Sequence, residues 1–192
     1  MSILRHSHLW EAIDPRRGEL ANAPRERPSH DRSLVLTPAT LEAIVHTVGD
    51  SLALWRGRVR VDVETRHYER LHLDDDFEVW LISWDLGQDT LLHDHGGSNG
   101  AFRVVAGRLC EDHATIGDRR LRQRSHATSS AAAFGPRYVH NLVNTASTPA
   151  VSIHAYSPPL STMSYYAVLD AGIERVRTLA VTGPEPDLVL QP

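Results

Sequence analysis

Apolar and polar residues follow two different rhythms along this chain. Residues 1 to about 35 carry neither: Arg, Pro, His and Glu dominate, and only Ile3, Leu4, Leu9, Trp10 and Ile13 could anchor them. A loosely structured arm with one short docking turn is expected there. A helix is then predicted. Thr37 can cap it, Pro38 suits the first helical position, and Leu41, Ile44, Val45, Val48 and Leu52 form one stripe, with Gly49 as a weak point and Gly57 as a stop. From about residue 58 the period falls to two. Val59, Val61 and Val63 alternate with charged residues, and Phe77 to Trp84, Ala101 to Cys110, Tyr138 to Val143 and Ala150 to Tyr156 read as short strands. Turn signals separate them at Asp74-Asp75-Asp76, Gly96-Gly97, Gly117-Asp118, Gly135-Pro136 and Ser157-Pro158-Pro159. Many short strands at this spacing predict a sandwich or barrel. The division expected is an arm and helix over 1–57 packed outside, a barrel over 58–182 and an extended tail over 183–192, one structural domain overall.

Composition narrows the function classes. A net charge of −4 gives a nucleic-acid partner no electrostatic support. No apolar run reaches the length of a membrane span, and the first residues lack the apolar core of a signal peptide. The single cysteine, Cys110, cannot form an intrachain disulfide, which suits the cytoplasm. All 20 basic residues are arginine, a bias that points to no function.

The chemistry concentrates in His93-Asp94-His95. In extended chain, residues two apart share a face, so both imidazoles aim at one point. His140 on a neighbouring strand would complete a three-nitrogen metal site, and Ser152, His154 and Tyr156 would share one face of a later strand. A lone His-x-His among 12 histidines is weak evidence; its glycine frame and a downstream His140-x3-Asn144 strengthen it. His67, His72, His113 and His126 lie in polar surroundings and are expected to be exposed, with His46 on the polar flank of the helix. Three histidines alone leave Fe, Zn, Ni, Cu and Co open.

The spacing Gly87-x5-His93-x-His95-x4-Gly100-x6-Gly107 resembles the first motif of the cupin superfamily, and His140-x3-Asn144 resembles the end of the second, with Arg137 in place of its usual glycine. The resemblance implies a mainly β, cupin-type small β-barrel, jelly-roll-like, with N-terminal helices packed outside. Gly100 replaces the acidic ligand of that motif. A metal held by three neutral imidazoles keeps its full charge, and such a site suits an anionic ligand such as a thiolate.

Within that superfamily the chain is similar to the bacterial branch of the cysteine dioxygenase family. Tyr68-Glu69-Arg70, Trp84, the three histidines and the block Ser152-Ile153-His154-Ala155-Tyr156-Ser157-Pro158-Pro159 carry the resemblance. It implies that His93, His95 and His140 bind Fe(II), and that L-cysteine chelates it through thiolate and amine while dioxygen takes a remaining position. It also implies that Arg70 pairs with the substrate carboxylate opposite the metal, supported by Tyr68 and Trp84. Tyr156 would lie beside substrate and oxygen, held by His154 and Ser152, and Ser157-Pro158 would be cis. The product would be cysteine sulfinic acid. Mammalian members carry a cysteine where this chain has Gly100, linked to the tyrosine matching Tyr156, so Tyr156 is expected to be unmodified here and Cys110 not to substitute. Relatives acting on 3-mercaptopropionate have glutamine at the Arg70 position. A dioxygenase for such a thiol, or a non-catalytic metal-binding cupin, are the competing readings. The expected partners are L-cysteine and O2 in a cytoplasmic monomer, with no nucleic acid and no membrane.

Overall fold

The computed structural model describes residues 34–181. Nearly all of the arm expected over 1–35, and the tail expected from Gly183, lie outside them.

Helix α1 spans Pro38–Asp50. Thr37 is extended and its side-chain oxygen accepts the Thr40 N–H at 3.2 Å, satisfying one of the donors a helix start leaves open. Leu41, Ile44, Val45 and Val48 are buried as the stripe predicts. The stripe ends there. Ser51 interrupts the helix, α2 (Leu52–Trp55) restarts it, and Leu52 faces solvent while Trp55 is buried and donates its indole N–H to the Gly49 carbonyl at 3.1 Å. A 3-10 turn at Arg56–Arg58 closes the helical stretch. Gly49 is a point of close packing rather than a weakness. A Cβ there would stand 2.9 Å from Arg103 Nη1 and 3.0 Å from Val105 Cγ1. Arg103 crosses from the sheet at this spot to reach the His46 carbonyl (2.9 Å) and Asp50 (2.7 Å).

Among the described residues ten antiparallel strands follow: β1 (His67–Leu73), β2 (Glu78–Trp84), β3 (Asn99–Ala106), β4 (Arg108–Thr115), β5 (Arg122–Ala127), β6 (Ala131–Phe134), β7 (Tyr138–Val143), β8 (Ala150–Ser157), β9 (Thr162–Leu169) and β10 (Gly172–Ala180). The alternation at Val59, Val61 and Val63 makes no strand. The Asp62 side chain accepts the N–H groups of Glu64 (2.8 Å) and Thr65 (3.1 Å), and this local turn ends the extension. The single strand expected over Ala101 to Cys110 is two. Gly107, at φ 75°, folds the chain back, and a side chain there would strike the Pro149 carbonyl at 2.6 Å. β1, β5, β6, β9 and β10 go beyond the strands that the sequence pattern predicts.

Five strands form one sheet in the order β1-β2-β8-β3-β6; β5-β4-β7 and β10-β9 form two smaller ones. His93 joins the small sheets, bridging to His140 of β7 and Tyr165 of β9. The core between the layers draws Trp84, Phe102, Phe134 and Tyr156 from the large sheet and Leu109 and Leu142 from the other side. Each such side chain contributes about 1.5–3 kcal/mol on burial. β8 is buried along its whole length, because α1 covers the outer face of the large sheet. Its alternate residues Ser152, His154 and Tyr156 therefore face inward, and the strand positions the site.

Candidate metal centre

His93, His95 and His140 are all buried, and one ring nitrogen from each lies within 4.8 Å of the other two. Their ring centroids form a nearly equilateral triangle of 4.9, 4.9 and 5.0 Å. The His93–His95 segment is extended but is not a full strand: His93 exchanges both backbone hydrogen bonds with His140 at 2.9 Å, and Asp94 bonds to Ser164. The two-residue alternation still holds. Asp94 points the other way, accepting the N–H groups of Gly96 (3.0 Å) and Ser164 (2.9 Å) and the Tyr166 hydroxyl (2.7 Å). Asp94 thus locks the segment that carries the two ligands. Tyr166 answers with a pKa pushed up to about 12 by burial and by the Asp94 charge.

The ring nitrogens fit a cation. His93 Nδ1 is 3.0 Å from the Leu91 carbonyl, which can only accept, so its Nε2 carries the lone pair. His140 Nδ1 is 2.8 Å from a Glu111 oxygen, with the same consequence. His95, stacked between Phe134 (4.8 Å) and Tyr156 (5.0 Å), has no hydrogen-bond partner on either ring nitrogen among the described residues. A buried polar ring left so is costly unless a ligand takes its lone pair. Burial, and then the proximity of His140, hold the pKa values of His93 and His95 well below the ordinary 6.5, so both are neutral and able to coordinate.

Behind them runs a buried chain. The Trp84 indole N–H donates to Ser152 Oγ at 2.9 Å, Ser152 Oγ is 2.8 Å from His154 Nε2, and His154 Nδ1 is 3.2 Å from the Tyr156 hydroxyl. Burial depresses the His154 pKa to about 3, so this imidazole is neutral. Phe102 stacks on it at 5.4 Å.

The sequence model of the cysteine dioxygenase type I family matches residues 39–168, which span both ends of this site. The chain belongs to the cysteine dioxygenase type I family. With its buried three-histidine cluster it is a cupin-fold, iron(II)-dependent thiol dioxygenase. Among solved structures it is similar to BH2720 of Bacillus halodurans, at 22% identity over 68% of this chain and 85% of that one with a TM-score of 0.49. It is also similar to TT1209 of Thermus thermophilus (17%, 54% and 93%, TM-score 0.48) and to an RmlC-like cupin of Desulfovibrio desulfuricans (18%, 53% and 91%, TM-score 0.44).

The dioxygenase has a cavity of about 50 Å³ against His93 and His140, where one water needs about 10–15 Å³ on the same measure. His93, His140, His154, Tyr156, Tyr68 and Trp80 are on its wall. Two residues expected at the substrate do not line this cavity. Trp84 is wholly buried and reaches Ser152 instead of the cavity wall, because its place on β2 opposite Ala150 sets it in the core behind the relay. Arg70 is on the outer side of that wall. Its guanidinium lies 5.1 Å over the Trp80 ring and 3.8 Å from Glu78, with 45% of the side chain exposed. Glu78, almost fully buried, lines the cavity and accepts the Leu160 N–H at 2.9 Å.

Gly100 pairs directly with Tyr156 across the sheet. A Cβ on it would fall on the Phe134 ring and stand 3.1 Å from Tyr156. Phe134 therefore fills the room that an acidic ligand or a cysteine would need. Cys110 sits on β4 with its sulfur 3.3 Å from the Thr145 hydroxyl, away from Tyr156. The peptide Ser157–Pro158 is cis.

Sequence reasoning missed three groups. Arg66 lies 5.4 Å from the ring centroids of both Tyr68 and Trp84, and its charge bears on His93 and His154. Its spacing of two before Tyr68 was the available signal. Glu111 and His126 are the others: both are buried, and His126 was expected to be exposed. Register between strands, which no local pattern reports, turns them inward. Among the remaining histidines expected at the surface, His72 is also largely covered, stacked on Phe77 at 4.5 Å and bonded to Asp74 at 3.0 Å.

Proposed function

We propose that the thiol oxidised here is L-cysteine, converted with O2 to cysteine sulfinic acid. The observation that carries this reading is the convergence of His93, His140, Tyr68 and Tyr156 on one cavity of about 50 Å³, with Arg70 stacked on Trp80 of its wall. That volume suits a ligand of a few heavy atoms. A guanidinium pairs bidentately with a carboxylate, which supports Arg70 as the group that selects an amino acid over cysteamine. To do so it leaves, or shares, the 3.8 Å contact with Glu78.

Iron(II), when bound, supplies the Lewis acidity that favours thiolate over thiol and the one-electron chemistry that dioxygen requires. The balance closes without a further reductant, since sulfur gives up four electrons and both oxygen atoms end on it. The chain's own residues orient and donate. Trp84 can only donate, so Ser152 accepts from it and passes its own hydrogen to His154 Nε2. His154 then holds its proton at Nδ1 and donates it to Tyr156. Tyr156 accepts there and forms part of the cavity wall. A hydrogen bond from that position to the developing sulfur-bound oxygens is the catalytic contribution assigned to it.

Oxygen consumption by the iron-loaded enzyme with cysteine, cysteamine and 3-mercaptopropionate tests the assignment. Cysteine should give the highest kcat/KM; if it is the slowest of the three, the substrate is wrong, and no consumption with any thiol would favour a binding cupin. Among the described residues no helix is long and apolar enough to cross a membrane. A cytoplasmic monomer is the form proposed, and sedimentation of the purified full chain as a dimer would overturn the second half of that.

A further inference from the structure

We propose that Glu111 is a positioning residue for the metal centre, fixing His140 with its Nε2 toward the ion and making it the strongest donor of the three ligands. Glu111 is completely buried on β4. Four donors converge on its two oxygens: His140 Nδ1 at 2.8 Å and the Tyr138 hydroxyl at 2.9 Å on one, His126 Nε2 at 2.8 Å and Arg124 Nε at 2.5 Å on the other. Arg124 also donates to the Tyr138 oxygen at 2.6 Å, and His126 Nδ1 lies 3.1 Å from Ser130 Oγ. An ionised carboxylate only accepts, so every one of these groups must point a hydrogen at it. That places a hydrogen on His140 Nδ1 and on His126 Nε2, leaving His140 Nε2 to face the ion.

The three metal ligands are therefore unlike. His140 leans on a carboxylate, His93 on the Leu91 carbonyl at 3.0 Å, and His95 on nothing among the described residues. A charge-assisted bond to the far nitrogen makes an imidazole a better donor to a metal. Phe134 keeps a carboxylate out of the Gly100 position, and Glu111 returns negative charge to the site one hydrogen bond away. Arg124, with 40% of its side chain exposed, offsets part of that charge from the outer side.

The proposal rests on the three-histidine metal site, and cobalt(II) tests the two separately. Metal-free wild type, Glu111→Gln and Arg124→Met are titrated with Co(II) against a competing chelator, with the visible ligand-field spectrum recorded at saturation. Glu111→Gln should bind about 10–100-fold more weakly with shifted bands, and Arg124→Met should bind several-fold more tightly. Failure of the wild type to bind Co(II) would overturn the metal site itself. Wild-type binding with an unchanged spectrum in Glu111→Gln would overturn the role of Glu111, whatever its affinity, because the ligand field would be untouched. If Glu111→Gln does not fold by circular dichroism, Arg124→Met decides: tighter binding supports the proposal, and equal or weaker binding overturns it.

Discussion

Two buried hydrogen-bond systems approach the same cavity from opposite layers, and they are built differently. On the five-stranded sheet, Trp84, Ser152, His154 and Tyr156 form a neutral chain that ends on a hydroxyl at the cavity wall. On the three-stranded sheet, Glu111 gathers His126, Arg124 and Tyr138 into a charged cluster that ends on a metal ligand. Burial alone would raise the Glu111 pKa, yet the hydrogen bonds of His126 and His140 and the nearby charges hold it well below the usual carboxylate range. The neutral chain can reorient a hydrogen; the charged cluster has both Glu111 oxygens occupied by two donors each and holds its geometry. One system should therefore govern turnover and the other metal retention.

The largest effect should come where the charged cluster meets the metal. His140→Ala removes one of three ligands and should weaken iron binding roughly a thousandfold, about a third of a typical 12 kcal/mol for a metal site. Metal analysis after desalting reads this directly. Retention of stoichiometric iron by a folded variant would break the assignment of His140 and with it the division of labour between the two systems.

Acid should come next, and it strikes both systems. Burial depresses His93, His95 and His154 below the ordinary 6.5. The unfolded chain takes up these protons first, so stability is full above 6.5 and falls as pH drops toward 3. Between pH 7.5 and 5.5 the metal-free protein should therefore lose stability, His154 alone costing it on the order of 1 kcal/mol and His93 and His95 acting in the same direction. Glu111 adds nothing in this window, since a depressed carboxylate loses its contribution only at far lower pH. Urea midpoints at the two pH values check the loss; equal midpoints would mean that the three rings are not held neutral by the fold.

The two systems also differ in how far the sequence discloses them. Ser152, His154 and Tyr156 lie two apart on one strand, and His93 and His95 do the same, so strand periodicity and the motif spacing are enough to find them. Glu111 meets His140 only through the register of β4 with β7, in which His113 pairs with His140, and meets Arg124 by direct pairing across β4 and β5. β5 itself reads as a polar segment, which is why His126 was expected at the surface. Helix α1 was legible from its cap and stripe, while its break at Ser51 depended on Trp55 turning inward. Arg70 shows the limit from the other side: the motif names the residue, but the contacts with Trp80 and Glu78 decide where its guanidinium rests.

Turnover should respond to the neutral chain with iron content unchanged. Tyr156→Phe deletes the terminal hydroxyl and should lower kcat about a hundredfold, the usual cost of losing one donor to a reacting oxygen. A rise in KM or a loss of iron, with kcat unchanged, would move Tyr156 from chemistry to binding.

The smallest expected effect separates the two ends of that chain. Ser152→Ala takes the acceptor from Trp84 and the donor from His154, leaving two buried polar groups unmet at a cost of about 1–3 kcal/mol. The His154 tautomer is then no longer dictated from behind, and kcat should fall by several-fold, well short of the loss in Tyr156→Phe. Trp84→Phe removes the donor that Ser152→Ala strands, so the stability losses of the two changes should combine less than additively, as expected for groups in one network. Its KM for cysteine should stay at the wild-type value, because the indole reaches Ser152 and not the cavity. A raised KM in Trp84→Phe, or additive losses in the double variant, would show that Trp84 serves the substrate and that the chain begins at Ser152.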